Sequence, residues 1–169
     1  YSEAIQKTAD NPYDSVIDLR DIRESATARY RELVPKGRAA EAMSYLRLAA
    51  RLVPHTDAEQ QASYAQWLAD LAMVLGESLL SEGKAEEVPG VRPKMAREYL
   101  EEAGREYLRL AKLVSLEESR SSQATWRAAD AFDRAGNLRE AAAVLVRFVA
   151  ERPTNNRVPE AMRRLGQMY

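Results

Sequence analysis

The side chains best suited to chemistry are one histidine and three pairs of adjacent glutamates. His55 follows Pro54 in a predicted turn, and the chain has no cysteine and no second histidine. It therefore lacks the partners that a metal site or acid–base catalysis requires. Adjacent residues on a helix point about 100° apart, so the carboxylates of a pair do not converge on one ligand. The pairs are Glu86–Glu87, Glu101–Glu102 and Glu117–Glu118.

The motifs of nucleophile and nucleotide sites are also absent: the sequence contains no GxSxG, GxxxxGK[ST] or GxGxxG. We therefore predict that the protein is not an enzyme and that it binds no metal and no cofactor. With 25 Lys and Arg against 26 Asp and Glu, the formal net charge is −1, which gives no electrostatic footprint for nucleic acid. No apolar run approaches the ~20 residues of a membrane-spanning helix, so we predict no such span.

The composition also bears on the origin of the chain. Its 169 residues are 46% hydrophobic and 30% charged, which is typical of a globular protein. The absence of cysteine excludes disulfides and slightly favours the bacterial cell envelope or periplasm over the cytoplasm. Because the chain begins with Tyr1 rather than Met, we predict that it is a fragment of a longer protein.

Apolar residues recur three and four positions apart along the whole chain, which indicates amphipathic helices and no strands. Gly and Pro punctuate this pattern at regular intervals. Asp57 and Ser119 are the predicted N-caps, and 84–93 is the one long loop predicted. The predicted helices are 2–9, 13–34, 38–52, 57–82, 94–114, 119–135, 138–151 and 159–169.

Two stretches about a hundred residues apart share one spacing, which is typical of an internal repeat. Each has a Gly, then Glu-Ala, then two apolar residues and a Pro, at offsets 0, 4–5, 9, 12 and 17. The first set is Gly37, Glu41-Ala42, Leu46, Ala49 and Pro54; the second is Gly136, Glu140-Ala141, Leu145, Phe148 and Pro153.

This pattern resembles the tetratricopeptide repeat, a helix–turn–helix unit of 34 residues. Leu165-Gly166 with Tyr169, Leu75-Gly76 with Leu79, and Ala128-Ala129 with Phe132 occupy the places of its first-helix motif. The last fifty residues are also similar to repeats of bacterial envelope assembly lipoproteins.

The resemblance implies an all-α fold, an antiparallel helix-hairpin solenoid of about three helix pairs with partial repeats at both ends and an elongated middle hairpin. An irregular helical bundle is the alternative. The implied units of this single domain are 1–10 (partial), 13–54, 57–115, 119–153 and 159–169 (partial).

The resemblance also implies a concave face lined by the first helix of each pair. An exposed Trp126 between acidic residues would be an anchor for a partner. A register shifted by one residue would instead pack Trp126 between helices. The predicted partner-binding residues are Trp126, Asp130, Asp133, Arg163, Gln167, Met73, Glu77 and Arg31.

The resemblance thus predicts a non-catalytic scaffold that binds a protein or peptide on its concave face. The face lacks the run of Lys and Arg with which some tetratricopeptide domains hold a terminal carboxylate. Two alternatives stay open. The chain could be the sensing or oligomerisation array of a larger regulator, or a structural segment of a long repeat protein with no dedicated ligand.

Overall fold

The computed structural model describes residues 18–83 and 91–168, and these ranges are helical without strands. The predicted all-α class is confirmed for them. The predicted helix 2–9 and the start of the predicted helix 13–34 lie outside the described residues. The helices are α1 (Leu19–Leu33), α2 (Ala39–Arg51), α3 (Ala58–Gly83), α4 (Val91–Leu113), α5 (Glu118–Arg134), α6 (Leu138–Glu151) and α7 (Val158–Met168), with a 3₁₀ turn at Val34–Lys36.

The helix starts follow local side-chain chemistry in part. Asp57 caps α3 as predicted, because its carboxylate accepts a hydrogen bond from the Gln60 amide at 2.9 Å. The predicted cap at Ser119 is wrong: α5 begins at Glu118, and Glu117 precedes it without a side-chain cap. The predicted loop 84–93 is too long, because α4 begins at Val91. Pro93 is tolerated there because first-turn amides have no acceptor within the helix.

The turns after α1 and α5 have the same backbone structure. Gly37 and Gly136 adopt φ of 71° and 74°, the left-handed conformation that glycine accepts at a helix C-terminus. Each turn then makes the two hydrogen bonds of a Schellman motif. These run from Arg38 to Leu33 and from Gly37 to Val34 in the first turn, and from Asn137 to Phe132 and from Gly136 to Asp133 in the second.

The second helix of each hairpin buries three residues at one spacing. An alanine is followed four residues later by a leucine and three residues after that by Ala or Phe, and all nine side chains are fully buried. We call these sets the second-helix triads: Ala42, Leu46 and Ala49; Ala96, Leu100 and Ala103; Ala141, Leu145 and Phe148. The repeat predicted from α2 and α6 therefore extends to α4.

The middle hairpin is longer than its neighbours. Its helices have 26 and 23 residues, against 15 and 13 in the first hairpin and 17 and 14 in the third. Two glycines allow close packing around it: a Cβ on Gly76 would lie 2.5 Å from Leu100 Cγ, and one on Gly104 would lie 2.7 Å from Phe132 Cζ.

Successive helices pack against each other along the described chain, so the core forms one continuous cluster. Side chains also join alternate helices. The Thr27 and Tyr64 hydroxyls are 2.6 Å apart between α1 and α3, and Arg47 of α2 donates to Glu102 of α4 at 2.8 Å. The first helices of the hairpins thus lie beside one another, as do the second helices.

Candidate partner-binding site

The row of first helices, α1, α3, α5 and α7, carries the predicted binding residues, and ion pairs cross it. Arg127 of α5 binds Asp70 of α3 at 3.1 Å, and Arg134 binds Glu77. Both pairs join residues 57 positions apart. Because the second pair lies seven residues, or about two turns, beyond the first on each helix, α3 and α5 run parallel.

Asp70 is the centre of the polar contacts in this row. It accepts hydrogen bonds from the Tyr107 hydroxyl at 2.6 Å and from the Gln66 amide at 2.8 Å, besides the Arg127 contact. Burial and the bond to Asp70 raise the pKa of Tyr107, so its phenol stays protonated and acts as a donor. A cavity of about 320 Å³ beside Asp70 is lined largely by polar side chains. The arrangement contains no activated nucleophile.

Trp126 is partly buried and packs against the core. Its ring meets the buried Phe148 of α6 edge-on, with ring centroids 5.8 Å apart. The guanidinium groups of Arg157 and Arg164 each lie 5.2 Å from the centre of the indole. The neighbours of Trp126 thus come from α6, from α7 and from the loop before α7, which matches the alternative in which it packs between helices.

The acidic residues beside Trp126 also have partners within the chain. Arg164 of α7 binds Asp130 at 2.5 Å and Asp133 at 2.8 Å. Its side chain is only 12% exposed, so both carboxylates compensate a largely buried charge. We call Trp126, Arg157, Arg164, Asp130 and Asp133 the Trp126 cluster. It holds α7 against α5.

The other predicted residues are dispersed. Arg163 and Gln167 are exposed on α7, where Arg163 pairs with Glu160 of its own helix at 2.6 Å. Met73 is partly buried against the core. Arg31 lies over the Trp67 ring at 5.5 Å.

An apolar groove of about 650 Å³ lies beside the middle hairpin, and the sequence analysis did not predict it. It opens where α3 and α4 extend past the turn between α1 and α2. Tyr30 stacks on Trp67 at 6.2 Å in its wall. Trp67, predicted to be core, is partly buried instead. The apolar lining includes Tyr30, Val34, Trp67, Leu71, Val74, Leu75, Leu79, Met95 and Tyr99.

A third cavity, of about 450 Å³, holds the one histidine. His55 is exposed, as predicted, and its Nδ1 lies 3.5 Å from the Gln61 amide nitrogen. Burial raises the pKa of Glu106, another residue in the lining. Arg109 pairs with Glu106 at 3.5 Å. Across the described ranges, no three His, Cys, Asp or Glu residues are grouped so that they could hold a metal ion.

Comparison with known proteins adds no further identity. No protein-family model matches the chain, and no curated protein matches it. Among the described residues, no helix is both long enough and apolar enough to cross a membrane.

Proposed function

We propose that this protein is a non-catalytic scaffold of tetratricopeptide-like helix hairpins and that it binds an apolar segment of a partner protein. The binding site is the groove beside the middle hairpin. The observation that carries this proposal is the groove's lining, in which aromatic and aliphatic side chains surround about 650 Å³. Protein ligand sites are commonly concave, of this size and mostly apolar.

Three repeated features support the hairpin array. The second-helix triads have one spacing and are fully buried. The turns at Gly37 and Gly136 make equivalent hydrogen bonds. Ion pairs join the parallel helices α3 and α5. Stacked hairpins of this kind bury a shared core between nearest neighbours and present an extended surface along one row of helices.

The groove suits a partner better than the predicted surface around Trp126. Both faces of a hot spot must lose water when the partner binds, and an anchor needs free contact area. In the Trp126 cluster, Arg157, Arg164 and Phe148 already take up much of the indole surface. In the groove, Val74 and Met95 are 58% and 42% exposed, so they offer apolar area that a partner can cover.

The test is selection of short peptides from a displayed random library on the wild-type protein. We expect the selected peptides to be rich in aromatic and aliphatic residues and to bind with micromolar Kd. Val74→Glu places a carboxylate in the groove wall at a largely exposed position, so the fold tolerates it. We expect this variant to weaken binding of the selected peptides about tenfold or more.

Val146→Glu is the matched control, because Val146 is also an exposed valine within a helix, α6, at 49% exposure. It should leave the affinity of the selected peptides unchanged. Peptides that bind wild type and Val74→Glu equally would contradict the assignment of the groove. A selection that yields no apolar consensus would contradict the scaffold function itself.

A further inference from the structure

The end of the array formed by α6 and α7 has an open face. We propose that this face pairs with one antiparallel amphipathic helix from a partner protein, and that this helix carries the spacing of the second-helix triads. The surface is separate from the groove beside the middle hairpin. The inference therefore goes beyond the proposed function and does not rest on it.

Gly166 of α7 is the first observation. Glycine inside a helix lowers stability relative to alanine, so its presence requires a reason. Gly76 and Gly104 have one, because side chains of neighbouring helices fill the space that a Cβ would take. A Cβ on Gly166 would meet nothing within 4 Å, and its φ is not positive. Within the described chain Gly166 thus has neither a packing role nor a turn role.

The register of the first helices shows what belongs opposite Gly166. Leu165-Gly166 occupies the motif place of Leu75-Gly76 in α3. There, Leu100 of the antiparallel helix α4 lies over the glycine, with the Ala96 carbonyl 3.1 Å from the Cβ position. Met162 stands four residues before Gly166 and is 57% exposed, whereas the equivalent Ala72 is fully buried.

The second helices point to the same place. Val146 of α6 stands five residues after the first member of its triad, as Arg47 does in α2 and Glu101 in α4. Arg47 contacts Glu102 of the next second helix, and Glu101 accepts a hydrogen bond from Asn137 at the start of the next one. Val146 has an apolar side chain at this position and is 49% exposed.

One helix laid against the end face would therefore cover Val146, Met162 and Gly166 together. A second copy of this chain cannot supply it while folded, because its three triads are fully buried in their own hairpins. The ranges outside the described residues do not carry the spacing either: Ala4 is followed at the leucine place by Thr8, and 84–90 is too short. The occupant is accordingly a helix of a different protein.

The test uses a synthetic peptide of residues 94–113, which carries the α4 triad, as the probe for such a helix. We expect saturable one-to-one binding to the wild-type protein by isothermal titration calorimetry. The same peptide with Leu100→Glu should not bind. In the protein, Gly166→Leu and Val146→Glu should each weaken binding about tenfold or more, because they close the space or charge the face. Val74→Glu should not.

Gly166→Leu leaves the fold intact on this structure, since the position is open, and unchanged circular dichroism checks it. Three results would overturn the proposal. The first is no saturable binding up to about 1 mM peptide. The second is binding that Gly166→Leu does not alter, which would mean that the peptide replaces α4 in its own hairpin. The third is concentration-dependent self-association in sedimentation that Gly166→Leu abolishes, which would make a second copy the occupant.

Discussion

Leu100 of α4 occupies the space that a side chain at Gly76 of α3 would need: a Cβ there would lie 2.5 Å from Leu100 Cγ. The close approach sets the distance between the two longest helices. We expect Gly76→Ala to lower the free energy of unfolding by about 1–3 kcal/mol, because overpacking outweighs the gain in helix propensity. Chemical denaturation followed by circular dichroism measures this change.

Gly166→Ala is the control for that measurement. It makes the same substitution in another helix, where a Cβ would meet nothing within 4 Å. We expect it to be neutral or to stabilise the protein by up to about 1 kcal/mol through helix propensity. Equal effects of the two substitutions would show that α3 and α4 are not in close contact at Gly76.

Ala141 begins the triad of α6 and is fully buried. We expect Ala141→Leu to lower the free energy of unfolding by about 1–3 kcal/mol, because the larger side chain must separate packed helices. Ala143→Leu is the matched control on the same helix, since Ala143 is exposed. A midpoint for Ala141→Leu no lower than that of the control would contradict the register of the hairpin.

These helices and turns were predictable because their determinants are local. Apolar spacing fixed the helices to within a few residues, and Gly37 and Gly136 marked turns that need a left-handed residue. Start positions were less certain where no side chain caps the helix, as before α5. There, Ser119 has the right residue type but lies inside the first turn.

The surface was not predictable in the same way, because its contacts are long-range. The environment of Trp126 depends on Arg164, and Arg164 is placed by carboxylates 31 and 34 residues earlier in the chain. The groove exists because the middle hairpin extends beyond the first one. The sequence showed the extra length of α3 and α4, but not which side chains the shorter neighbour leaves uncovered.

The Tyr107–Asp70 hydrogen bond predicts the response to alkaline pH. Burial and this bond raise the pKa of Tyr107 above its ordinary value of 10.0 in the folded state. The unfolded chain therefore releases this proton at lower pH than the folded protein does. The contribution to stability is complete below pH 10 and falls as the pH rises further.

Tyr107→Phe removes the titrating group. It should lower the free energy of unfolding at pH 7 by about 1 kcal/mol, through the lost hydrogen bond. Between about pH 10 and 11 its stability should fall less steeply than that of the wild type. Parallel slopes for the two proteins in urea denaturation would show that Tyr107 does not titrate differently in the folded state. Tyr45→Phe, at a partly buried tyrosine of α2, controls for the loss of any phenol.

The Trp126 cluster gives the last prediction, which separates a structural role from a binding role. Trp126→Ala removes an indole packed on Phe148 and beneath two guanidinium groups, so we expect the free energy of unfolding to fall by about 2–4 kcal/mol. Replacing Asp130 and Asp133 together by Asn leaves the largely buried Arg164 without a carboxylate, and should cost about 1–3 kcal/mol. Arg163→Ala, at an exposed position on the same helix, should have no measurable effect on stability. Thermal unfolding measures all three variants. The same proteins, assayed below their midpoints, should bind the groove-selected peptides with wild-type affinity. If Trp126→Ala keeps its stability and loses peptide binding, Trp126 is a partner anchor and the groove is not the site.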